Sequence, residues 1–188
     1  MKKQSNLSRL LGYAGSLRVL TPLSWVLSAI SALCALLPFW YIWRILKEVL
    51  EVAPNFDEAH NIVRYGQMAL IMSILAAFIY LAALMCSHIA AFRIATNIRK
   101  ELTHHIATLP LGKIDEFGSG RLRRIIAETG GAAETYLAHQ LPDKARALAT
   151  TLGLLFLLFV FDWRLGLLSL APVAIGFAVM TRMTGKRM

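Results

Sequence analysis

Cysteine is nearly missing from this chain: two residues in 188, Cys34 and Cys86, each inside an apolar run. That excludes a disulfide framework and leaves no cysteine spacing for a metal site. Both read as small buried hydrophobes. Charge is scarce as well. Only 16% of the residues are Asp, Glu, Lys or Arg, against 57% hydrophobic, and the charges are bunched rather than spread. That apolar share exceeds the range of an ordinary soluble domain, so the class is integral membrane. β-Branched residues are few and Leu/Ala runs long, which favours helices over a barrel. A phosphate loop of the G-x-x-x-x-G-K-[ST] form is also lacking: Gly185-Lys186 has no glycine five residues earlier and is followed by Arg187. The formal charge of +9 does not argue for nucleic acid, since no recognised motif accompanies it and Lys/Arg collect in the cytoplasmic loops of membrane proteins. Lys2 and Lys3 precede an apolar run too long for a signal peptide, with no small-residue cleavage site after it. It reads as a retained anchor.

What is present can be followed along the chain. Residues 1–18 hold Lys2, Lys3, Arg9 and Arg18 with no acid, interleaved with Leu7, Leu10, Leu11 and Leu17, the pattern of a short interfacial helix. The 25 residues between Arg18 and Arg44 are uncharged and long enough to span about 30 Å of hydrocarbon. Pro22 stands near the start of this run, and Pro38 is expected to kink its far end. Trp40, Tyr41 and Trp43 form an aromatic belt there. Residues 44–64 read as a loop, with Glu48, Glu51, Asp57 and Glu58 facing Arg44, Lys47 and Arg64, and a turn at Pro54-Asn55. Then come 28 uncharged residues, Tyr65 to Phe92. Beyond Arg93, Ile94, Ile98, Leu102 and Ile106 continue at four-residue steps, so one helix is predicted to run unbroken far past the membrane to Pro110. A helix that projects so far needs other long helices to pack against.

From Leu109 to Asp143 lies the longest polar interval, an elbow. Pro110 and Gly112 are expected to break the descending helix, Lys113–Phe117 to form a short segment, and Gly118-Ser119-Gly120 to turn the chain with Ser119 capping the next helix. Leu122, Ile125 and Ile126 are predicted to share one helical face, with Arg121, Arg123 and Arg124 on the others. Gly130-Gly131 reads as a local kink, too short for a phosphate cradle. Pro142 is expected to interrupt. Ala147–Phe161 alone is too short to span, but Leu137–Leu141 lengthens it if Lys144 and Arg146 snorkel. Asp162-Trp163-Arg164 is a tight turn before a fourth span, Leu165–Thr181. With the N-terminus inside, 16 of the 20 basic residues fall on the inner side. That places both termini and the elbow in the cytoplasm.

The pattern Leu109-Pro110, Asp115-x-Phe117 and Gly118-Ser119-Gly120-Arg121-Leu122 resembles the first intracellular loop of exporter-fold ABC transporters. Residues Glu134-Thr135-Tyr136-Leu137-Ala138-His139-Gln140-Leu141-Pro142-Asp143 look closest to the branch that handles siderophores, which includes importers of iron chelates such as yersiniabactin and mycobactin. Asp162-Trp163-Arg164-Leu165 resembles the family's external corner between spans three and four. At Ala127-Glu128 the chain departs from the acidic pair or Asp usual there. The resemblance implies an all-α integral membrane fold with long helices extending into the cytosol, part of a transmembrane domain with about four of six spans. It implies a cytoplasmic interfacial segment at 1–18, a partial transmembrane domain at 19–188 with spans near 19–43, 63–92, 137–161 and 165–181, and an intracellular loop at 93–136. It further implies that Lys113, Ile114, Asp115, Glu116, Phe117, Gly118, Ser119, Gly120 and Arg121 couple to a nucleotide-binding domain outside this chain, which would hold ATP and Mg. The other implied partners are the bilayer, a homo- or heterodimeric half-transporter and a small-molecule substrate; the implied location is the plasma (inner) membrane. No signature loop, Walker-B run or hydrolytic glutamate is recognisable here. The family unit has six spans and an ATPase domain, so a truncated or split product is expected.

Trp40, Phe78, Met85 and His88, with Trp43 and Tyr80, are candidates to line a cavity for an amphipathic ligand. Interfacial anchoring is the plainer reading of the tryptophans, and hydrogen-bonded packing that of His88. His104-His105 point about 100° apart on a helix and cannot share a metal as an i, i+4 pair does; they read as solvated or packing residues. Two other classes stay open: a stand-alone four-helix membrane adaptor without transport activity, and an intramembrane enzyme, for which no catalytic constellation is present.

Overall fold

The computed structural model describes residues 6–55 and 59–185; Lys2, Lys3, Asp57, Glu58, Lys186 and Arg187, invoked above, lie outside the described residues. Helix α1 (Asn6–Gly12) is followed by a 3₁₀ turn (Gly15–Val19), α2 (Leu20–Cys34), α3 (Leu37–Val52), α4 (Ile62–Ala107), α5 (Leu111–Phe117), α6 (Ser119–Thr135), a π-turn (Tyr136–Gln140), α7 (Leu141–Phe161) and α8 (Trp163–Gly185). Among the described residues there is no strand. Four stretches are long and apolar enough to cross a membrane: Gly15–Val52, Ile62–Ala107, Ser119–Phe161 and Trp163–Met183.

The chain divides into two compact units, Met1–Ser31 with Leu75–Ala147, and Ala32–Ile74 with Leu148–Met188. The first is built on small residues. Thr21, Ser24, Ser28 and Ser31 on α2 are fully buried, at spacings of three and four that keep them on one helical face. Ser31 Oγ donates to the Ala76 carbonyl of α4 at 2.9 Å. Along α4 the buried positions Ala76, Ala83, Ser87, Ala90 and Ala91 continue the same economy of volume. Small facing residues let membrane helices approach closely where apolar burial offers no drive. Further down, Ala14, Ala91, Ile94, Ile98, Ala133, Leu137 and Ala138 form the core, flanked by Leu7, Leu10, Tyr13 and Leu102. Asn97 Nδ2 donates to the Tyr13 carbonyl at 2.7 Å and so ties the N-terminal segment to α4.

In the second unit, Trp40, Trp43 and Phe161 form an aromatic cluster with centroids 5.0–5.8 Å apart. The Arg44 guanidinium lies 5.3 Å from the Trp40 centroid. Gly153 is the point of closest approach to Leu33 and Leu36: a Cβ there would meet their methyls at 2.8 and 2.6 Å. Asp162 is the one residue between α7 and α8, and its Oδ1 accepts from the Arg164 N–H at 2.8 Å. This is an N-cap on α8; the tight turn expected there is present.

Several local expectations are revised. The break attributed to Pro38 falls at Ala35-Leu36, with Pro38 in the first turn of α3, where its missing N–H costs nothing. Helix α3 then runs to Val52, past the expected boundary near Arg44, with Lys47 and Glu51 3.7 Å apart along one face. The loop is correspondingly short, and Glu48 Oε1 accepts from the Asn61 backbone N–H at 2.9 Å across it. Pro142 does not interrupt: it is buried in the first turn of α7. The π-turn just before it supplies the wider ring that accommodates a residue without an N–H. Gly130-Gly131 lies inside α6, which is unbroken there. The long second helix is present as predicted, 46 residues without a break, about 69 Å at ~1.5 Å per residue.

Candidate functional site

The predicted coupling segment lies between the end of α4 and the start of α6. Helix α4 closes with Thr108 Oγ1 donating to the His105 carbonyl at 2.7 Å, and with the Leu109 N–H reaching Ile106 at 3.1 Å. Pro110, at φ −59° and ψ 143°, then leaves the helical region. Gly112 is not part of this break. It belongs to α5, which starts at Leu111, two residues before the expected Lys113. At the other end Gly118 has φ +76° and ψ 136°, a conformation that costs a side-chain-bearing residue roughly 1–3 kcal/mol. Its N–H still closes α5 on the Ile114 carbonyl at 3.0 Å. Gly118 rather than Ser119 is the N-cap of α6, and no side-chain cap bond forms. Ser119 is already the first helical residue, so its hydroxyl is past the position from which it could cap.

On α5, Ile114 alone is half-buried; Lys113, Asp115, Glu116 and Phe117 face outward. Phe117 is 43% exposed and Leu111 75%. Lys113 Nζ meets Glu116 Oε2 at 3.0 Å, and the Arg121 guanidinium sits 5.8 Å from the Phe117 ring. Gly120 and Arg121 are exposed at the start of α6. Behind this tip, Ile106, Ile114, Leu122 and Ile126 floor a groove of about 560 Å³ rimmed by Arg99 and Arg123. Of the three residues expected to share a face, Leu122 is buried and Ile126 half-buried, but Ile125 is 41% exposed. An i, i+4 pair overlays more closely than i, i+3, and the single contact line to α4 takes only the former.

The tip is braced from behind. Arg99 Nη2 of α4 meets Glu134 Oε2 of α6 at 3.5 Å. Gly130 makes room for that side chain, since a Cβ there would stand 2.5 Å from Arg99 Nε and 2.9 Å from its Cγ. The half-exposed pair is worth only about 0–1 kcal/mol. The larger contact between these helices is the buried cluster of Ala91, Ile94, Ile98, Ala133 and Leu137.

Of the four cavity candidates, Trp40 belongs to the second unit and Phe78, Met85 and His88 to the first. Trp40 lines a groove of about 370 Å³ with Leu33, Leu36, Gly153 and Phe156. Phe78 and Met85, seven residues apart, lie on the exposed face of α4. His88, one turn after Met85, is half-buried, edge-on to His139 with centroids 5.0 Å apart and 5.7 Å from Phe92. The His139 partner escaped the sequence reading; the signal was its place beside Pro142, where α-helical periodicity shifts. Tyr80 carries the Arg146 guanidinium 4.0 Å from its centroid. His104 and His105 are exposed and line a groove of about 830 Å³ with Arg9, Tyr13 and Glu101. Among the described residues no group of three or more His, Cys, Asp or Glu could hold a metal.

The architecture is thus a helical membrane domain, four apolar stretches of spanning length with a braced arm of two long helices carrying a short, outward-facing third. The chain belongs to the ABC transporter transmembrane region family, which it matches over residues 21–188. It is similar to the mycobactin import ATP-binding/permease protein IrtA of Mycobacterium tuberculosis, at 29% identity over 162 residues, 86% of this chain and 18% of that protein. The corresponding proteins of Mycolicibacterium smegmatis and Mycolicibacterium thermoresistibile are each 30% identical, over 89% and 91% of this chain and 20% and 19% of theirs. The chain spans about a fifth of the length of the curated relatives it matches.

Proposed function

We propose that this chain forms part of the translocation pathway of an ATP-driven transporter and carries the arm that couples it to a nucleotide-binding domain. The observation that supports this best is the outward-facing α5, with Phe117 and Leu111 exposed, at the tip of a 46-residue helix braced by the Arg99–Glu134 pair. Phe117 is the anchor that a pocket on the ATPase partner would bury. Asp115 and Glu116 form its polar rim, and Lys113, Ile114 and Gly118 to Arg121 hold its shape. Closure of two such partners around ATP and Mg would displace α5, and a stiff helix pair carries displacement along its axis instead of absorbing it. ATP and Mg belong to that partner; the residues of this chain position, dock and transmit. A second half-transporter, the same or different, completes the pathway. The substrate class that the relatives' names support is a siderophore or another amphipathic small molecule. The setting is the plasma (inner) membrane, with residues 1–18 an interfacial segment, residues 93–136 the intracellular loop, and the spans near 19–43, 63–92, 137–161 and 165–181.

Phe117→Ala in the assembled transporter tests this. Substrate flux is expected to fall at least tenfold, the loss of one buried aromatic anchor, while the ATPase domains still bind nucleotide and the membrane domain still folds. Unchanged flux in Phe117→Ala, and again in a variant with Asp115 and Glu116 also replaced by Ala, would overturn the assignment.

A further inference from the structure

Arg146 occupies an unusual position. The ring it contacts, Tyr80, stands near the middle of the 28 uncharged residues from Tyr65 to Phe92. It is thirteen residues from Arg93, about 20 Å along α4 at ~1.5 Å per residue. A cation this far inside an apolar segment ordinarily pairs with a carboxylate or snorkels out along its own stem. Arg146 has neither a carboxylate partner nor full exposure. Among the described residues no carboxylate lies within 4.0 Å of it. Asp143, one turn earlier on α7, is exposed and not paired with it, and Lys144 sits over Tyr136. The guanidinium lies over the ring of Tyr80 on the facing helix, 4.0 Å from its centroid.

A ring face attracts the cation but accepts none of the guanidinium's five N–H donors as an oxygen would. The side chain is half-buried, so part of the fork remains open. Its chemistry selects the occupant: a planar fork of donors matches the paired oxygens of a carboxylate, phosphate or sulfonate. The positions three and four residues from Tyr80 on α4, which share its side of the helix, are Ala76, Ala77, Ala83 and Leu84, all apolar. The rest of the ligand must therefore be apolar too.

We infer that Arg146, held in place by Tyr80, is an anion-binding site inside the membrane-spanning part of the chain, taking the oxyanion end of an amphipathic ligand. Under the transport reading, on which the ligand's identity rests, this is the acidic group of a transported amphiphile. The same chemistry could also be met by an anionic lipid headgroup.

The full chain in nanodiscs of phosphatidylcholine, labelled with ¹⁵N-arginine, tests the inference on the unaltered protein. Arg146→Lys identifies the Arg146 Nε–H resonance by its disappearance, and Tyr80→Leu is expected to move that resonance by removing the ring current. Sodium laurate is expected to shift it saturably downfield, while dodecanol, the same chain without the charge, leaves it in place. A resonance unmoved by laurate, or moved equally by dodecanol, would overturn the site. Replacing a third of the phosphatidylcholine by phosphatidylglycerol separates the sources. A downfield shift before laurate is added assigns the site to lipid headgroups; no shift assigns it to the soluble amphiphile. Neither result depends on ATP or on docking at Phe117, so failure here leaves the coupling assignment standing, and the reverse also holds.

Discussion

Around Ile94 the helices meet through Ala91, Ala133 and Ala138, whereas around Trp43 the ends of α3 and α7 meet through stacked rings. Both are helix–helix contacts in an apolar protein, yet they use opposite side-chain volumes. Small residues bring backbones close and give a dense, continuous interface along the arm. Large rings fill space between helix ends and tolerate small displacements, since each ring pair is worth only about 0.5–1.5 kcal/mol and has a broad geometry. The region assigned to transmit motion is thus the one packed for stiffness. The aromatic end, with Arg44 and Lys47 over its tryptophans, is packed as an anchor.

The sharpest way to break that contrast is to hollow out each side. Ile94→Ala removes a fully buried side chain from the arm and is expected to cost about 2–5 kcal/mol. Trp43→Ala, losing its stacking on Trp40 and Phe161, should cost about half as much. Unfolding in detergent, followed by circular dichroism, gives both values, and equal losses would dissolve the distinction. Next in size is Gly118→Ala, expected to lose roughly 1–3 kcal/mol from the +76° φ. Its effect should be confined to the tip, so proteolysis near Gly118 would accelerate while the core melts as before. Gly130→Ala offers a finer probe. A helix interior gains about 1 kcal/mol on replacing Gly by Ala, but here the new methyl collides with Arg99. The substitution should be near neutral alone and stabilising by about 0.5–1 kcal/mol once Arg99→Ala has cleared the space; additivity of the two would remove Arg99 from the bracing. Smallest of all, Lys113→Ala should change stability by less than about 0.5 kcal/mol, because its partner Glu116 is equally exposed.

Much of this arrangement could be read in advance. Four-residue steps through Ile94, Ile98, Leu102 and Ile106 announced that α4 continues beyond Arg93, because helical periodicity is a local property of the chain. Pro110 and Gly118 marked the two ends of α5 for equally local reasons, a missing N–H and a positive φ. The errors share a cause. Breaks at Gly112 and Pro142 and a kink at Gly130-Gly131 are what isolated glycine and proline propensities predict. In the structure α5 extends through Gly112, Gly130 gives way to Arg99, and a π-turn precedes Pro142. Spacing puts Ile125 on one face with Leu122 and Ile126, but it stays exposed while those two are covered.

The sequence by itself determined that the chain is helical, membrane-bound by composition, and bent outward at a polar elbow, since hydropathy and backbone chemistry act residue by residue. Only the tertiary structure decided which small residues meet, that Arg99 crosses to Glu134, and that Arg146 lies over Tyr80. Those outcomes depend on pairs far apart in the chain, 35 and 66 residues respectively. Their energies exist only once packing has brought the partners within a few ångströms.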